Sequence, residues 1–266
     1  WKTKVLGECC ETQLGKALHS KNQTGEASLP YLRNVNLQWN GFDLEDLKFM
    51  DIFPEEYEQF TLQRGDLLVT EGGEPGRCSV WERDDLIAFQ NAIHRLRTND
   101  SVTNYYLKYQ IEFLTKSGFL NGFFTQTSIT HFNQESLRSV PITVPPLVEQ
   151  EKIADILTSV DDTIEHTQAQ VAKLQDLKTA TMNELLTRGI GHTEFRESEL
   201  GLIPTTWEIR SVYELAGGRK SGVQTGPFGS LLHSEVYVKH GVPLILISNI
   251  KERELDESDL VRISYE

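Results

Sequence analysis

The residue types that most often support catalysis are scattered along this chain rather than grouped. Its seven histidines include no His-x-x-x-His pair, and its three cysteines form no Cys-x-x-Cys motif. Neither spacing indicates a zinc site. An odd number of cysteines, Cys9, Cys10 and Cys78, is typical of free thiols in a reducing compartment. We therefore expect no metal, no cofactor and a cytoplasmic location.

Three other segments resemble parts of active sites but lack residues that the chemistry needs. The turn GGEPG at residues 72–76 has no Gly-Lys-Ser/Thr after it, so a plain turn is favoured over phosphate binding. Pro145-Pro146 stands between Val144 and Leu147, which cannot form the catalytic loop of a DNA aminomethyltransferase. The acidic run at residues 256–259 could attract a metal, although a solvated surface explains it more simply. We interpret the chain as non-catalytic.

Polar loops offer a different chemistry, which is hydrogen bonding to the edges of nucleic-acid bases. In the major groove, arginine can bond to guanine, and asparagine or glutamine can bond to adenine. Such residues occur in four loop-rich stretches, 33–38, 71–77, 90–97 and 125–131. The candidate contacts are Arg33, Asn34, Gln38, Gly73, Arg77, Gln90, Asn91, Arg95, Arg97, Gln126 and Thr127. A solvated loop is the alternative for any one residue, but we expect the set to contain most base contacts.

The net charge of −13 opposes DNA binding, because phosphates attract Lys and Arg. The acidic residues are unevenly distributed, however. Residues 43–58 contain seven acidic side chains and one basic one, and residues 147–200 contain eleven acidic and five basic. Other surfaces remain free for nucleic acid, so the charge weakens the DNA-binding hypothesis without excluding it.

A heptad pattern predicts one long helix over residues 147–188. Pro145-Pro146 precedes it, and Gly189 and Gly191 follow it. Thr167 occupies the one position of the heptad pattern that lacks an apolar residue. The apolar seam consists of Ile153, Leu157, Val160, Ile164, Val171 and Leu174. Spacings that alternate between four and three residues are typical of coiled coils, so this helix needs a partner helix. No apolar run is long enough to predict a membrane span.

The segments on either side of this helix resemble each other. The sequence WKTKVLGE at residues 1–8 aligns with WEIRSVYE at residues 207–214, an offset of 206. At an offset of 213, Pro30 meets Pro243, and Asn36 meets Asn249. Asp43, Asp46 and Leu47 meet Asp256, Asp259 and Leu260. The shared order indicates a duplicated module.

We therefore predict an α+β fold in which a long helix separates two similar modules. Short β-like runs at residues 30–35, 66–70 and 140–144, with a helix at residues 104–116, indicate a globular mixed domain over residues 1–146. The coiled-coil-type helix spans 147–188, a linker spans 189–206, and the second module begins at 207. Because only 60 residues remain, we expect the second module to be cut short in this chain.

Several motifs, in this order, resemble those of type I restriction–modification specificity subunits. PPLVEQEKIADIL at residues 145–157 looks like the family's junction between recognition domain and helix. LLTRGI at 185–190 followed by GLIPTTWE at 201–208 is similar to the helix exit and re-entry. GDLLVT at 65–70 and TGPFGS at 225–230 resemble motifs within the recognition domains. The resemblance covers nearly the whole chain.

The resemblance implies a DNA-recognition role and a set of partners. Each recognition domain would read one half of a split double-stranded DNA target, and antiparallel helices would set the distance between the halves. Methyltransferase subunits would dock on the helices, and a restriction subunit that translocates DNA would complete the complex. Two copies could also pair through their helices. The alternative is a helical adaptor that assembles methyltransferase subunits with little DNA affinity of its own.

Overall fold

The computed structural model describes residues 1–19, 24–126, 130–219, 222–226, 237–252 and 254–264. The chain divides into two compact units, Trp1–Leu177 and Lys178–Glu266. The strands are β1 Lys2–Val5, β2 Cys10–Leu14, β3 Ser28–Leu32, β4 Leu37–Gln38, β5 Gly41–Phe42, β6 Lys48–Asp51, β7 Leu67–Thr70, β8 Cys78–Val80, β9 Ala88–Phe89, β10 Ile93–Thr98, β11 Thr125–Gln126, β12 Thr130–His131, β13 Pro141–Val144, β14 Phe195–Ser198, β15 Gly201–Pro204, β16 Tyr237–Leu244 and β17 Val261–Ile263. The α-helices are α1 Tyr57–Phe60, α2 Asn104–Lys116, α3 Gln134–Ser139, α4 Leu147–Arg188 and α5 Val212–Leu215.

The first unit is built around a four-stranded antiparallel sheet with the order β2-β10-β7-β8. Strand β7 is buried on both faces, which explains why its sequence is apolar without alternation. Leu67 and Val69 pack in the cluster that contains Leu107 and Ile111 of α2. Leu68, on the other face, packs in a second cluster with Trp81. The predicted mixed α+β fold is confirmed for this unit.

A three-stranded sheet, β6-β3-β9, lies beside the second cluster. Strand β3 is antiparallel to β6 and parallel to β9. Helix α2 begins after Thr103, whose hydroxyl accepts a hydrogen bond from the Tyr106 amide, and ends before Gly118. Gly118 has a φ of 78°, a left-handed conformation that terminates a helix at little cost for glycine.

The predicted long helix is present as α4, with the bounds that the sequence indicated. Its first turns are fixed in the first unit. The fully buried Gln150 accepts a hydrogen bond from the Thr103 amide and donates to the carbonyls of Ser101 and Pro145. Every side chain from residue 162 to residue 188 is exposed. Within the described chain, no helix is long and apolar enough to cross a membrane.

The second unit contains a hairpin in the stretch that we expected to be a linker. Strands β14 and β15 pair antiparallel from Phe195–Pro204 to Ser198–Gly201. Gly201 has a φ of 90°, so the chain can turn tightly after Leu200. The predicted linker, residues 189–206, thus contains a short element with its own backbone pairing.

The repeat predicted at an offset of 213 has a structural counterpart. Strand β3 pairs with β6 so that Pro30 faces Phe49, and β16 pairs with β17 so that Pro243 faces Arg262. Pro243 follows Pro30 by 213 residues, and Arg262 follows Phe49 by the same number. The bridge between Ile250 and Leu255 likewise reproduces the pair between Leu37 and Phe42.

One buried asparagine organises the same loop in both segments. The Asn36 side chain accepts from the Arg33 amide at 2.9 Å and donates to the Asp43 carbonyl at 2.9 Å. The Asn249 side chain accepts from the Leu246 amide at 2.9 Å and donates to the Asp256 carbonyl at 3.1 Å. The matching hydrogen bonds support duplication more strongly than the few identities in sequence.

We predict that Asn36→Ala lowers the free energy of unfolding by about 1–3 kcal/mol, because a buried amide and a carbonyl lose their partner. Urea denaturation followed by circular dichroism would measure the change. Gln38→Ala is the matched control, since its amide makes one exposed bond to the Val35 carbonyl. Equal stability of the two variants would contradict an organising role for Asn36.

Candidate nucleic-acid interface

The loop stretches proposed to contact bases leave the sheets at one end. Strands β7 and β10 pair with Thr70 opposite Ile93. The turn after β7 and the turn before β10 therefore lie at the same edge of the sheet. The Glu71 amide donates to the Ala92 carbonyl at 2.9 Å, which joins the two turns directly.

The other two loop stretches reach the same end. The Phe132 amide donates to the Glu71 carbonyl at 2.7 Å, and His131 bridges Gly72. This contact brings in the hairpin of β11 and β12. The Gln90 amide donates to the Leu32 carbonyl at 2.9 Å, so the loop that begins after Leu32 is adjacent as well. The fold thus collects four stretches that are separated by up to about a hundred residues in sequence.

Arg77 and Asn34 hold two of these loops together. The Arg77 guanidinium donates to the Asn34 main-chain carbonyl at 2.9 Å and to its side-chain oxygen at 2.7 Å. It also pairs with Glu74 at 3.1 Å. The Asn34 amide donates in turn to the Gly72 carbonyl. Gly73, with a φ of 75°, lies against Asn34, where a Cβ would be 3.3 Å from its amide nitrogen.

Other candidates at this end remain accessible to different degrees. Gln38 is exposed, and Gln90 and Asn91 are half-buried. The Arg33 guanidinium is engaged by Asp46, to which it donates at 3.0 Å. Gln126 lies in β11, while Thr127 falls outside the described residues.

Arg95 and Arg97 require a correction, because both guanidinium groups are used inside the fold. Arg95 is only 2% exposed, and it donates to the carbonyls of Glu58 and Thr61 at 3.0 and 2.9 Å. Arg97 forms a two-bond ion pair with the buried Asp66 at the opposite end of β10. The pattern resembled an exposed edge, whereas β10 is an inner strand between β2 and β7. Neither residue is retained as a proposed DNA contact.

The candidate contacts did not include Trp39, nor Glu71 and His131, which lie at the ends of two of the predicted loop stretches. The Trp39 indole donates to Glu74 at 3.1 Å, and the Lys116 ammonium lies 5.0 Å from its ring centre. The Glu71 carboxylate is 4.0 Å from His131 Nδ1. Burial raises the pKa of Glu71, and His131 opposes that shift. The dipeptide Asn40-Gly41, which is typical of turns, could have extended the loop stretch to Trp39.

A buried histidine contacts the segment after β12 at the loop end of the sheet. His94 is fully buried, and its Nε2 lies 2.7 Å from the Phe132 carbonyl, which it can donate to in the neutral form. Burial lowers the pKa of His94, so the imidazole stays neutral near pH 7. His94 therefore has a structural role at the base of the β12 segment.

The described residues include no group of three or more His, Cys, Asp and Glu side chains that could hold a metal ion. In the acidic run at residues 256–259, Asp256 caps a turn by accepting from the Ser258 amide at 3.1 Å. All three cysteines are buried and free. Burial raises the pKa of Cys10 to about 12, so this thiol is a poor nucleophile near neutral pH.

The first part of the chain matches a known family. The family model for the type I restriction modification DNA specificity domain matches residues 1–176. The type I restriction enzyme MjaVIII specificity subunit of Methanocaldococcus jannaschii is 28% identical over 185 residues, which is 69% of this chain and 41% of that protein. A protein of the same organism described as the MjaX specificity subunit is 27% identical over 217 residues, or 79% of this chain and 51% of that protein.

The chain thus spans about half the length of the curated relatives that it matches. A solved chain from work on complex assembly and conformational transition of the type I R-M system has a similar fold, with a TM-score of 0.52 and 21% identity. The match covers 69% of this chain and 45% of that chain. At this identity the likeness concerns the fold alone.

We predict that Arg77→Ala destabilises the first unit by about 1–3 kcal/mol, because it removes the link between two loops and leaves the Asn34 oxygens without their donor. Arg77→Lys should not restore stability, since one ammonium cannot reproduce the planar fork of a guanidinium. Urea denaturation would measure both variants. The control is Arg64→Ala, which breaks a surface pair with Asp84. A loss no larger than that of the control would rule out the linking role.

Proposed function

The chain belongs to the type I restriction–modification DNA specificity family, and from this premise we propose that its first unit reads base sequence in double-stranded DNA. The observation that carries the proposal is the convergence of four polar loop stretches at one end of the family-matched region. In this role the chain performs no catalysis itself. It acts in the cytoplasm and directs a partner methyltransferase to its target.

We propose that the neutral candidate residues of the four loop stretches supply the base contacts. They are Gln38, Gly73, Gln90, Asn91, Gln126 and Thr127, together with Asn34, whose side chain also bonds to Arg77 and Gly72. Arg33 and Arg77 serve mainly to position the loops, because both are engaged by carboxylates. This assignment also reconciles DNA reading with a net charge of −13, since neutral amides can read base edges without a strongly basic surface.

The repeat supports a split target. The same strand register and the same asparagine network recur at an offset of 213, on the other side of helix α4 in the sequence. We propose that residues 1–146 form one target-recognition domain and that residues 207–266 begin a second one. Each would then contact one half of a divided DNA site.

Helix α4 provides the proposed docking surface for partner subunits. From Leu157 onward the seam is uncovered, with exposures from 38% at Leu157 to 64% at Leu174. Ile153 is an exception, because it packs against the core of the first unit and so anchors the helix. We propose that methyltransferase subunits bind this seam, and that the restriction subunit joins the resulting complex. A second copy of the chain is a competing occupant.

One observation supports the alternative that the chain is a helical adaptor. The described arginines at the loop end are ion-paired within the fold, which leaves little free positive charge for DNA phosphates. An adaptor would assemble with a methyltransferase but would confer no sequence preference.

The proposal predicts a defined methylated sequence. The chain should be produced with a type I methyltransferase subunit in a host free of other methylation, and methylated positions should be mapped by long-read sequencing. A single recurring sequence is expected. Asn91→Ala should weaken discrimination at one base position by about tenfold, a typical effect of losing one base-edge contact. Arg64→Ala, at the far end of β7, should leave the sequence unchanged. Assembly without any recurring sequence would favour the adaptor.

The docking surface is tested by placing charge in the seam. Val171→Asp with Leu174→Asp should abolish assembly with the methyltransferase subunit, because buried carboxylates would remain unpaired. Size-exclusion chromatography with mass measurement would show this. Ala169→Asp, whose position falls on the opposite side of the helix, should assemble normally. Normal assembly of the double variant would place the docking surface elsewhere.

A further inference from the structure

Lys108 has an unusual position for a lysine, because its side chain is buried and its ammonium contacts three elements. Lys108 Nζ donates to the Asn40 side-chain oxygen at 2.9 Å and to Asp161 at 2.9 Å. It also lies 4.0 Å from the ring centre of Tyr109. One ammonium therefore joins helix α2, the turn between β4 and β5, and helix α4.

The helix side of this contact is a charged and well-satisfied cluster. The Tyr109 hydroxyl lies 2.8 Å from Asp161 and 3.1 Å from the Thr158 hydroxyl. Burial by itself would raise the pKa of Asp161, but hydrogen bonds from Lys108 and Tyr109 outweigh it and lower the pKa. The carboxylate is therefore ionised near neutral pH, and the ion pair persists where the protein works.

The other side of the contact is the hairpin of β4 and β5, which has few bonds of its own. Its strands contain two residues each, and Gln38 pairs with Gly41 across the turn. Side-chain contacts fix both turn residues: Trp39 donates to Glu74 and lies 5.0 Å from the Lys116 ammonium, and Asn40 accepts from Lys108. Because the exposed Gln38 lies in this hairpin, its position depends in part on where Lys108 is held.

We infer that Lys108 is a positioning residue that couples the Gln38-bearing hairpin of the proposed reading end to helix α4 through Asn40 and Asp161. The inference rests on the proposed DNA-reading function. It predicts that a change on the helix at Asp161 alters DNA binding, although Asp161 lies on a different element from the loops that would touch DNA. Anything that binds α4 beside Asp161 would influence the hairpin in the same way.

Asp161→Asn tests the coupling, because coupling predicts weaker DNA binding whereas electrostatics alone does not. The substitution removes a negative charge, so electrostatics alone would leave DNA binding unchanged or strengthen it. Coupling through Lys108 instead predicts binding about tenfold weaker. Affinity should be measured by fluorescence anisotropy for the complex with its methyltransferase subunit, on a duplex carrying the mapped methylation sequence. Urea denaturation and a mass measurement would show that each variant is folded and assembled.

The matched control is Asp162→Asn, which removes the same charge from an exposed neighbour that lies outside the Lys108 contacts. Its affinity should equal or exceed that of the unsubstituted chain. Asp161→Glu keeps the carboxylate and should recover most of the lost affinity. Unchanged or tighter binding by Asp161→Asn, as for the control, would overturn the inference.

A second readout does not depend on DNA or on the stability of Asp161→Asn. Coupling is reciprocal, so removing the contact between the hairpin and Lys108 should change the hydrogen exchange of helix α4. Asn40→Ala, an exposed position, should speed hydrogen exchange of the α4 amides near Asp161, while Gln38→Ala in the same hairpin should not. Equal exchange in the two variants would overturn the coupling. Absence of any sequence preference in the unsubstituted chain would instead overturn the proposed function and leave this exchange result standing.

Discussion

Helix α4 depends on the burial of its first turns in the first unit. A helix whose side chains are all exposed from residue 162 to residue 188 gains little from packing, and isolated helices are marginal in water. Gln150 is fully buried with three hydrogen bonds, and Ala154 is buried beside it. These contacts fix the direction in which the helix starts, and the seam from Leu157 onward is left exposed.

Several arginine side chains of the first unit bond to groups within the fold. Arg97 pairs with Asp66, Arg95 bonds to two carbonyls, and Arg77 joins two loops. These bonds offset the cost of removing the guanidinium groups from water only in part, because the buried Nε atoms of Arg77 and Arg95 have no hydrogen-bond partner among the described residues. The guanidinium groups of these three arginines are therefore engaged inside the fold rather than free for DNA phosphates. The fold therefore places neutral amides, rather than free positive charge, at the proposed reading end.

The two repeated segments show which features of the loop are specified by local hydrogen bonds and which need the rest of the domain. Leu37 is fully buried, whereas its counterpart Ile250 is 64% exposed. The strands β7, β9 and β10 that surround Leu37 have no counterpart among the described residues of the second unit. Even so, the loop around Asn249 keeps the hydrogen bonds found around Asn36. Local backbone–side chain bonding thus specifies this loop, and burial is added by the rest of the domain.

The sequence by itself determined the features that depend on neighbours along the chain. Heptad spacing and the flanking proline and glycine residues located α4, and the shared order of residues revealed the repeat. The side-chain environments were decided only by tertiary structure. Arg95 and Arg97 looked like groove-reading residues because their pairing with distant carbonyls and with Asp66 leaves no local pattern. The contact of Lys108 with Asn40 and Asp161, 68 and 53 residues away, is likewise created by packing. Long-range pairing of polar groups depends on which strands become neighbours, and that is a property of the folded chain.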